Sequence, residues 1–228
     1  MSRRAITALC VLSSLLIGGC AKLPDVGVGG RSKRLLFKFR VAGEIRNQYV
    51  YIVALRPSLE ATPPTQGPIP VIAPPWGNGF VAGGVTHFVR WDPFQSPRFL
   101  VYAFRDLNLL DFFQTGTPIN VVDVNPGDKT IQFELELSQL APVNTDQYQS
   151  IQVNFLTMDR VPQGTTGSKV WDALGDGRLP GQVNEYISVP LRTSGLYDNA
   201  RFGGLEPPND TIDPDLDITD FSVEVRSQ

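Results

Sequence analysis

Apolar and polar residues alternate along much of this chain. In Thr130–Leu137, TIQFELEL, the side chains of Ile131, Phe133, Leu135 and Leu137 take one face, and Gln132, Glu134 and Glu136 take the other. Ser150–Leu156, SIQVNFL, repeats the scheme through Ile151, Val153 and Phe155. A period of two marks a strand with one buried face, because successive side chains point to opposite sides of a sheet. Leu35–Ala42 follows the same rule, with Phe37, Phe39 and Val41 opposed to Lys38 and Arg40. Tyr49–Leu55, YVYIVAL, is nearly continuous in apolar residues and predicts a central strand. Val85–Trp91, Arg98–Arg105, Glu185–Leu191 and Leu216–Val225 complete the set, and the last changes phase near Thr219-Asp220, which predicts a bulge. Helical periodicity is scarce; Asp106–Phe113 and Ser168–Leu174 each have room for a turn or two. The pattern as a whole predicts an all-β fold: a single two-layer antiparallel β-sandwich of roughly eight to ten strands.

Two stretches interrupt the rhythm. Pro57–Pro75 holds seven prolines in 19 residues, so it is expected to cross the surface as an extended loop. Arg192–Asn209, rich in turn-forming residues, makes a long approach to the final strand. The chain's 21 glycines and 19 prolines suit many short strands and turns and exclude a helical bundle.

The first residues belong to a different pattern. Arg3 and Arg4 precede an apolar run, Ala5–Ile17, that is too short for a permanent membrane span and has the form of an export signal. The run ends in Ile17-Gly18-Gly19-Cys20, which resembles the lipobox of bacterial lipoproteins. The resemblance implies cleavage before Cys20, lipidation of its thiol, and anchoring by two or more acyl chains. It also implies an exported, envelope-bound protein, placed in the outer membrane if the organism has one. The expected organisation is a signal peptide over 1–19, a lipidated flexible tether over 20–34 and a β-sandwich over 35–228. Basic residues gather at Arg31, Lys33, Arg34, Lys38 and Arg40; they would face anionic headgroups or, for Lys38 and Arg40, simply line a wet strand face. Cys10 leaves with the signal and Cys20 is consumed by lipid, so the mature chain has neither a disulfide nor a cysteine metal site. Without Arg3 and Arg4 the balance is 18 basic against 23 acidic residues, which disfavours nucleic acid as a partner.

A second resemblance concerns the body of the chain. TIQFELELSQL (130–140) followed by SIQVNFLTMDR (150–160), together with YVYIVAL, is similar to consecutive strands of family-nine carbohydrate-binding modules and the related DOMON sandwiches. The likeness covers about a third of the mature chain and rests on pattern; Pro57–Pro75 and PPWGNGF have no place in it. It implies a sandwich, and as ligands sugars or haem, with structural calcium in some sugar-binding relatives.

The candidate chemistry is sparse. In Pro74–Trp91, PPWGNGFVAGGVTHFVRW, glycines flank Asn78 in a tight bend. Trp76 at its tip has the broad apolar face and N–H that suit a sugar ring, or it folds back as a plug over the sandwich. Trp171 and Tyr197 would join Trp76 and Asn78 in a ligand site if their loops converge. His87, the chain's only histidine, shares a strand face with Val85, Val89 and Trp91, as expected of a structural histidine. For haem, which the second resemblance implies as an alternative ligand, Met158 and His87 are the candidate axial ligands. Asp213, Asp215 and Asp217 recur at every second position and would share one face of an extended strand, where calcium would neutralise them; a charged strand edge is the alternative. Gly175-Asp176-Gly177 reads as a turn first and a metal loop second. Glu134 and Glu136 are the pair a glycan hydrolase would need, but they lie on the face away from the apolar row, where solvation is expected. No catalytic constellation is evident: there is no GxSxG elbow and no free cysteine in the mature chain. The sequence therefore leads to a non-catalytic, lipid-anchored envelope protein of structural or ligand-binding type, with carbohydrate or an envelope protein as partner. An envelope hydrolase and a haem electron-transfer domain are the alternatives.

Overall fold

The computed structural model describes residues 33–141, 144–160 and 168–227. The expected signal peptide, Cys20 and all of the expected tether except Lys33 and Arg34 lie outside the described residues. Among the described residues fourteen strands form: β1 (Lys33–Val41), β2 (Val50–Ser58), β3 (Pro68–Pro70), β4 (Val81–Gly83), β5 (His87–Trp91), β6 (Phe99–Phe104), β7 (Phe112–Gly116), β8 (Asn120–Val121), β9 (Thr130–Glu136), β10 (Ser150–Met158), β11 (Trp171–Ala173), β12 (Ile187–Pro190), β13 (Gly195–Asp198) and β14 (Ile218–Ser227). The first sheet runs β13-β14-β1-β9-β8 and the second β11-β10-β2-β5-β6-β7, with β12 also pairing β10. Every pairing is antiparallel. The all-β sandwich expected from the alternation is the fold. Each of the eight expected strands is present, and the additional ones are short.

Asp106–Phe113 and Ser168–Leu174 correct two expectations, since neither contains helix. The first is a turn leading into β7, and the second contains β11, which pairs with Leu156–Met158 of β10. In both, edge hydrogen bonding to a preformed sheet overrides a weak local pattern.

Alternation explains the core directly. Leu35, Phe37, Phe39 and Val41 of β1 meet Tyr51, Val53 and Leu55 of β2, Ile151, Val153 and Phe155 of β10, and Ile131, Phe133 and Leu135 of β9 in one buried cluster. Each such side chain contributes about 1.5–3 kcal/mol by leaving water. In β14, Ile218 and Phe221 both enter this cluster although three positions separate them. The register explains it: Arg40 pairs with Asp220 but Val41 pairs with Ile218, so Thr219 is the extra residue of a bulge that resets the phase.

The second sheet is covered on both faces. Val50, Ile52 and Ala54 of β2 point away from the sandwich and pack with Phe80, Val81, Phe88, Leu156 and Met158. The cover includes the β3–β4 hairpin and the proline-rich segment before it. Pro57 lies near the end of β2, beyond the reach of β5, whose pairing stops at Leu55 opposite His87; there β2 is paired on one side only and tolerates a proline. Prolines offer carbonyls but no N–H, so the strand beneath must supply donors. β10 does so with a polar row: Ser150 Oγ donates to Glu60 O (2.6 Å), Gln152 Nε2 to Thr65 O (3.2 Å) and Asn154 Nδ2 to Pro68 O (3.0 Å).

Candidate functional site

The densest chemistry lies where β11, the turn after it and the approach to β14 meet. Asp172 is in the middle of β11, and its carboxylate accepts from Ala173 N (2.9 Å) and Ile218 N (2.6 Å), joining the edge strand of one sheet to the start of β14 in the other. Thr157, opposite Asp172 on β10, donates its hydroxyl to Leu216 O at the same junction. The turn that follows requires glycine at 175: φ is +104°, and a Cβ there would strike the Gln182 carbonyl. Gly175 N donates to Glu206 Oε2 (3.2 Å) and Gly177 N to Asp210 Oδ2 (2.9 Å). Asn199 fixes the backbone of Glu206 from both sides, Nδ2 donating to Glu206 O (2.8 Å) and Oδ1 accepting from Glu206 N (2.9 Å). Asp217 accepts from Asn209 N (3.0 Å) and Asp210 N (3.2 Å), closing the loop.

Asp172, Glu206 and Asp210 each bring an oxygen within 4.8 Å of the others. Asp172 is fully buried, Glu206 is 1% exposed and Asp217 is equally deep. Glu206 Oε1 and Asp210 Oδ1 are buried with no hydrogen-bond partner. Among the described residues no lysine or arginine forms an ion pair with any of the four. Arg178 is exposed and commits its guanidinium fork to Asp176 at 2.7 and 2.8 Å. Burial, then the nearby Asp172 and Asp210, push the Glu206 carboxyl up to about 12. Burial, then Asp210, holds Asp172 well above the carboxylate range, and burial moves Asp210 to about 6 against the N–H of Gly177. Such a group of carboxyls is in electrostatic deficit; it needs protons or a cation.

The residues singled out from sequence are placed differently. Trp76 is no exposed platform: it is 5% exposed, with Lys169 Nζ 5.4 Å from its ring centroid, so its face is unavailable for stacking. That Lys169 amine also donates to Gly79 O (2.8 Å), locking the bend. Asn78 organises the turn, accepting from Phe80 N (2.8 Å) and Val81 N (2.9 Å) and donating to Val81 O (2.7 Å) and Leu109 O (2.9 Å). Trp171 is half-buried against the outer cluster, whereas Tyr197 lies in the inter-sheet core under the Arg201 guanidinium. The structure does not bring the four into one surface.

Asp213, Asp215 and Asp217 are not on a strand, because β14 begins only at Ile218. Their carboxylates diverge. Asp213 accepts from Asp215 N (2.9 Å) and the Tyr49 hydroxyl, Asp215 from Glu44 N (2.7 Å) and Arg46 Nε (3.0 Å), and Asp217 faces the loop described above. Met158 and His87 sit opposite Val50 and Leu55, towards the two ends of β2, so they are far apart for a shared iron. Glu134 is buried rather than solvated, since β8 lays Asn120 over it and Asn120 Nδ2 donates to Glu134 Oε2 (2.6 Å). Glu136 stays partly exposed, beside Arg34 at 3.8 Å. Cys20 lies outside the described residues.

Sequence reasoning missed Asp172, Glu206 and Asp210. Partial signals existed in the acidic run Asn209–Asp220 and in Gly175-Asp176-Gly177, but only the fold unites them. A second feature is a polar cleft of about 360 Å³ at one end of the sandwich, lined by Arg46, Asn47, Arg98 and Asn125, with the buried Trp91 Nε1 left without a partner. Comparison with protein-family models, with curated proteins and with solved structures gives no match for this chain.

Proposed function

We propose that this chain is an exported, lipid-anchored cell-envelope protein that acts by presenting a rigid β-sandwich rather than by catalysis. The observation that carries this reading is Ile17-Gly18-Gly19-Cys20 behind a basic start and a short apolar run. A mature chain anchored through Cys20 would need only a short segment to reach β1, which enters the sandwich at Lys33. Expression with labelled palmitate tests it. The wild-type chain takes up label and partitions with membranes, and Cys20→Ala abolishes both; label retained in Cys20→Ala overturns the reading.

For ligand binding, the cleft beside Trp91 is favoured over the Trp76 bend. Its lining offers two guanidiniums and three amides, donors and acceptors matched to a polyhydroxylated ligand. A glycan array read with wild type and Asn47→Ala gives binding that Asn47→Ala weakens; binding unchanged in Asn47→Ala removes the cleft as the site.

A further inference from the structure

We propose that Asp172, Glu206 and Asp210 bind a calcium ion that clasps the β11 edge, the Gly175–Gly177 turn and the entry to β14. The proposal stands apart from the lipid anchor and from the cleft. Asp172 and Glu206 are buried and Asp210 is half-buried beside them, with Asp217 accepting from Asp210 N, and none of the four has an ion-pair partner among the described residues. Gathering like charges where water is scarce is unfavourable unless protons or a cation neutralise them. A second and independent observation points the same way. One oxygen each of Glu206 and Asp210 is held by Gly175 N and Gly177 N, and the others, Glu206 Oε1 and Asp210 Oδ1, are buried with no hydrogen-bond partner. A native fold rarely leaves one such atom unsatisfied. Here two belong to the same cluster.

The donor set selects the ion. It is all carboxylate oxygen, without histidine or cysteine, and so suits a hard cation and not zinc. Oxygens within 4.8 Å of one another lie within the span of two calcium–oxygen bonds of about 2.3–2.6 Å each. Magnesium keeps several waters and takes one or two carboxylates, which fits a wet site better than this buried one. The surrounding hydrogen bonds act as a second layer: the Asn199 clasp on Glu206 and the Asp217 clasp on Asn209 and Asp210 hold the ligands before any ion arrives. The consequence of binding is mechanical. One ion would tie β11 of the second sheet to the segment that feeds β14 of the first.

Thermal melts of the full chain in detergent, stripped with EGTA and then supplied with calcium or magnesium, test the proposal. Terbium luminescence excited through tryptophan tests it independently, since Trp171 adjoins Asp172. Calcium is expected to raise the melting midpoint saturably and terbium to bind with sensitised emission. Glu206→Gln and the less buried Asp210→Asn, each verified as folded by circular dichroism, are expected to weaken calcium binding about tenfold or more, whereas Asp213→Asn keeps wild-type affinity. An unmoved midpoint together with absent terbium emission overturns the site and leaves shared protons as what neutralises the cluster. Wild-type affinity in both Glu206→Gln and Asp210→Asn places the ion elsewhere and equally overturns it. An equal response to magnesium overturns the choice of calcium.

Discussion

The two faces of the second sheet are buried by different means. The inner face meets another sheet, and residues such as Val53, Val153 and Phe155 need nothing but shape and exclusion of water. The outer face meets a proline-rich segment and a small hairpin, which bring carbonyls into a dry layer. There β10 carries Ser150, Gln152 and Asn154 between its inward apolar positions, and each donates to a loop carbonyl. All nine residues of β10 are buried, so burial alone does not distinguish the faces. Hydrogen bonding does. A sheet can be covered by a segment poor in N–H groups provided that its own side chains replace the missing donors.

Substitutions should separate these two modes. The largest effect is expected for Phe155→Ala, which empties a fully buried position between the rings of Phe39 and Phe221. Its loss is about 3–5 kcal/mol and global, visible as a lower denaturant midpoint with all probes moving together. Next is the acid response of His87, which shares the inner side of β5 with Val89 and Trp91. Burial lowers its pKa from 6.5 to about 4 in the folded state. Its contribution is complete above pH 6.5 and is lost as pH falls through about 4, because the unfolded chain takes up the proton first. The window spans about 3 kcal/mol at most. His87→Gln should flatten the stability profile between pH 4 and 6.5, measured as unfolding free energy against pH; an unchanged slope there assigns the acid response to other groups. The smallest of the three is Asn154→Leu, which keeps volume but strips donors from Pro68 O and Glu185 O and the acceptor from Leu174 N. About 2 kcal/mol is expected. The distinguishing result is local: hydrogen exchange should quicken around Thr65–Pro70 and Leu174 while the inter-sheet strands stay protected. Uniform acceleration would mean that the outer layer is no separate unit.

How far the sequence could be read follows from the range of the forces involved. β1, β9, β10 and the Thr219 bulge were legible because alternation is a local record of which side of a strand is dry. β11 was not, because Trp171–Ala173 becomes a strand only by pairing with Leu156–Met158. The burial of Glu134 depends on β8 arriving from elsewhere, and that of Trp76 on Lys169, some ninety residues away along the chain. For the carboxylate centre the composition of the Asn209–Asp220 run was informative but its register was not. The strand assumed there is a turn, which fans Asp213 and Asp215 towards Tyr49, Glu44 and Arg46 and leaves Asp210 to meet Asp172 and Glu206. Spacing along one segment cannot report a meeting of three.

β1 sits between β14 and β9 in the first sheet, not at its rim. Tension applied to the chain ahead of Lys33 would therefore run along the axis of a strand gripped on both flanks. Its cross-strand bonds lie perpendicular to that pull and must slide together, instead of parting one after another as they would if a border strand were peeled away. Whatever hauls on this protein from its N-terminal side loads a strand with a neighbour on each flank.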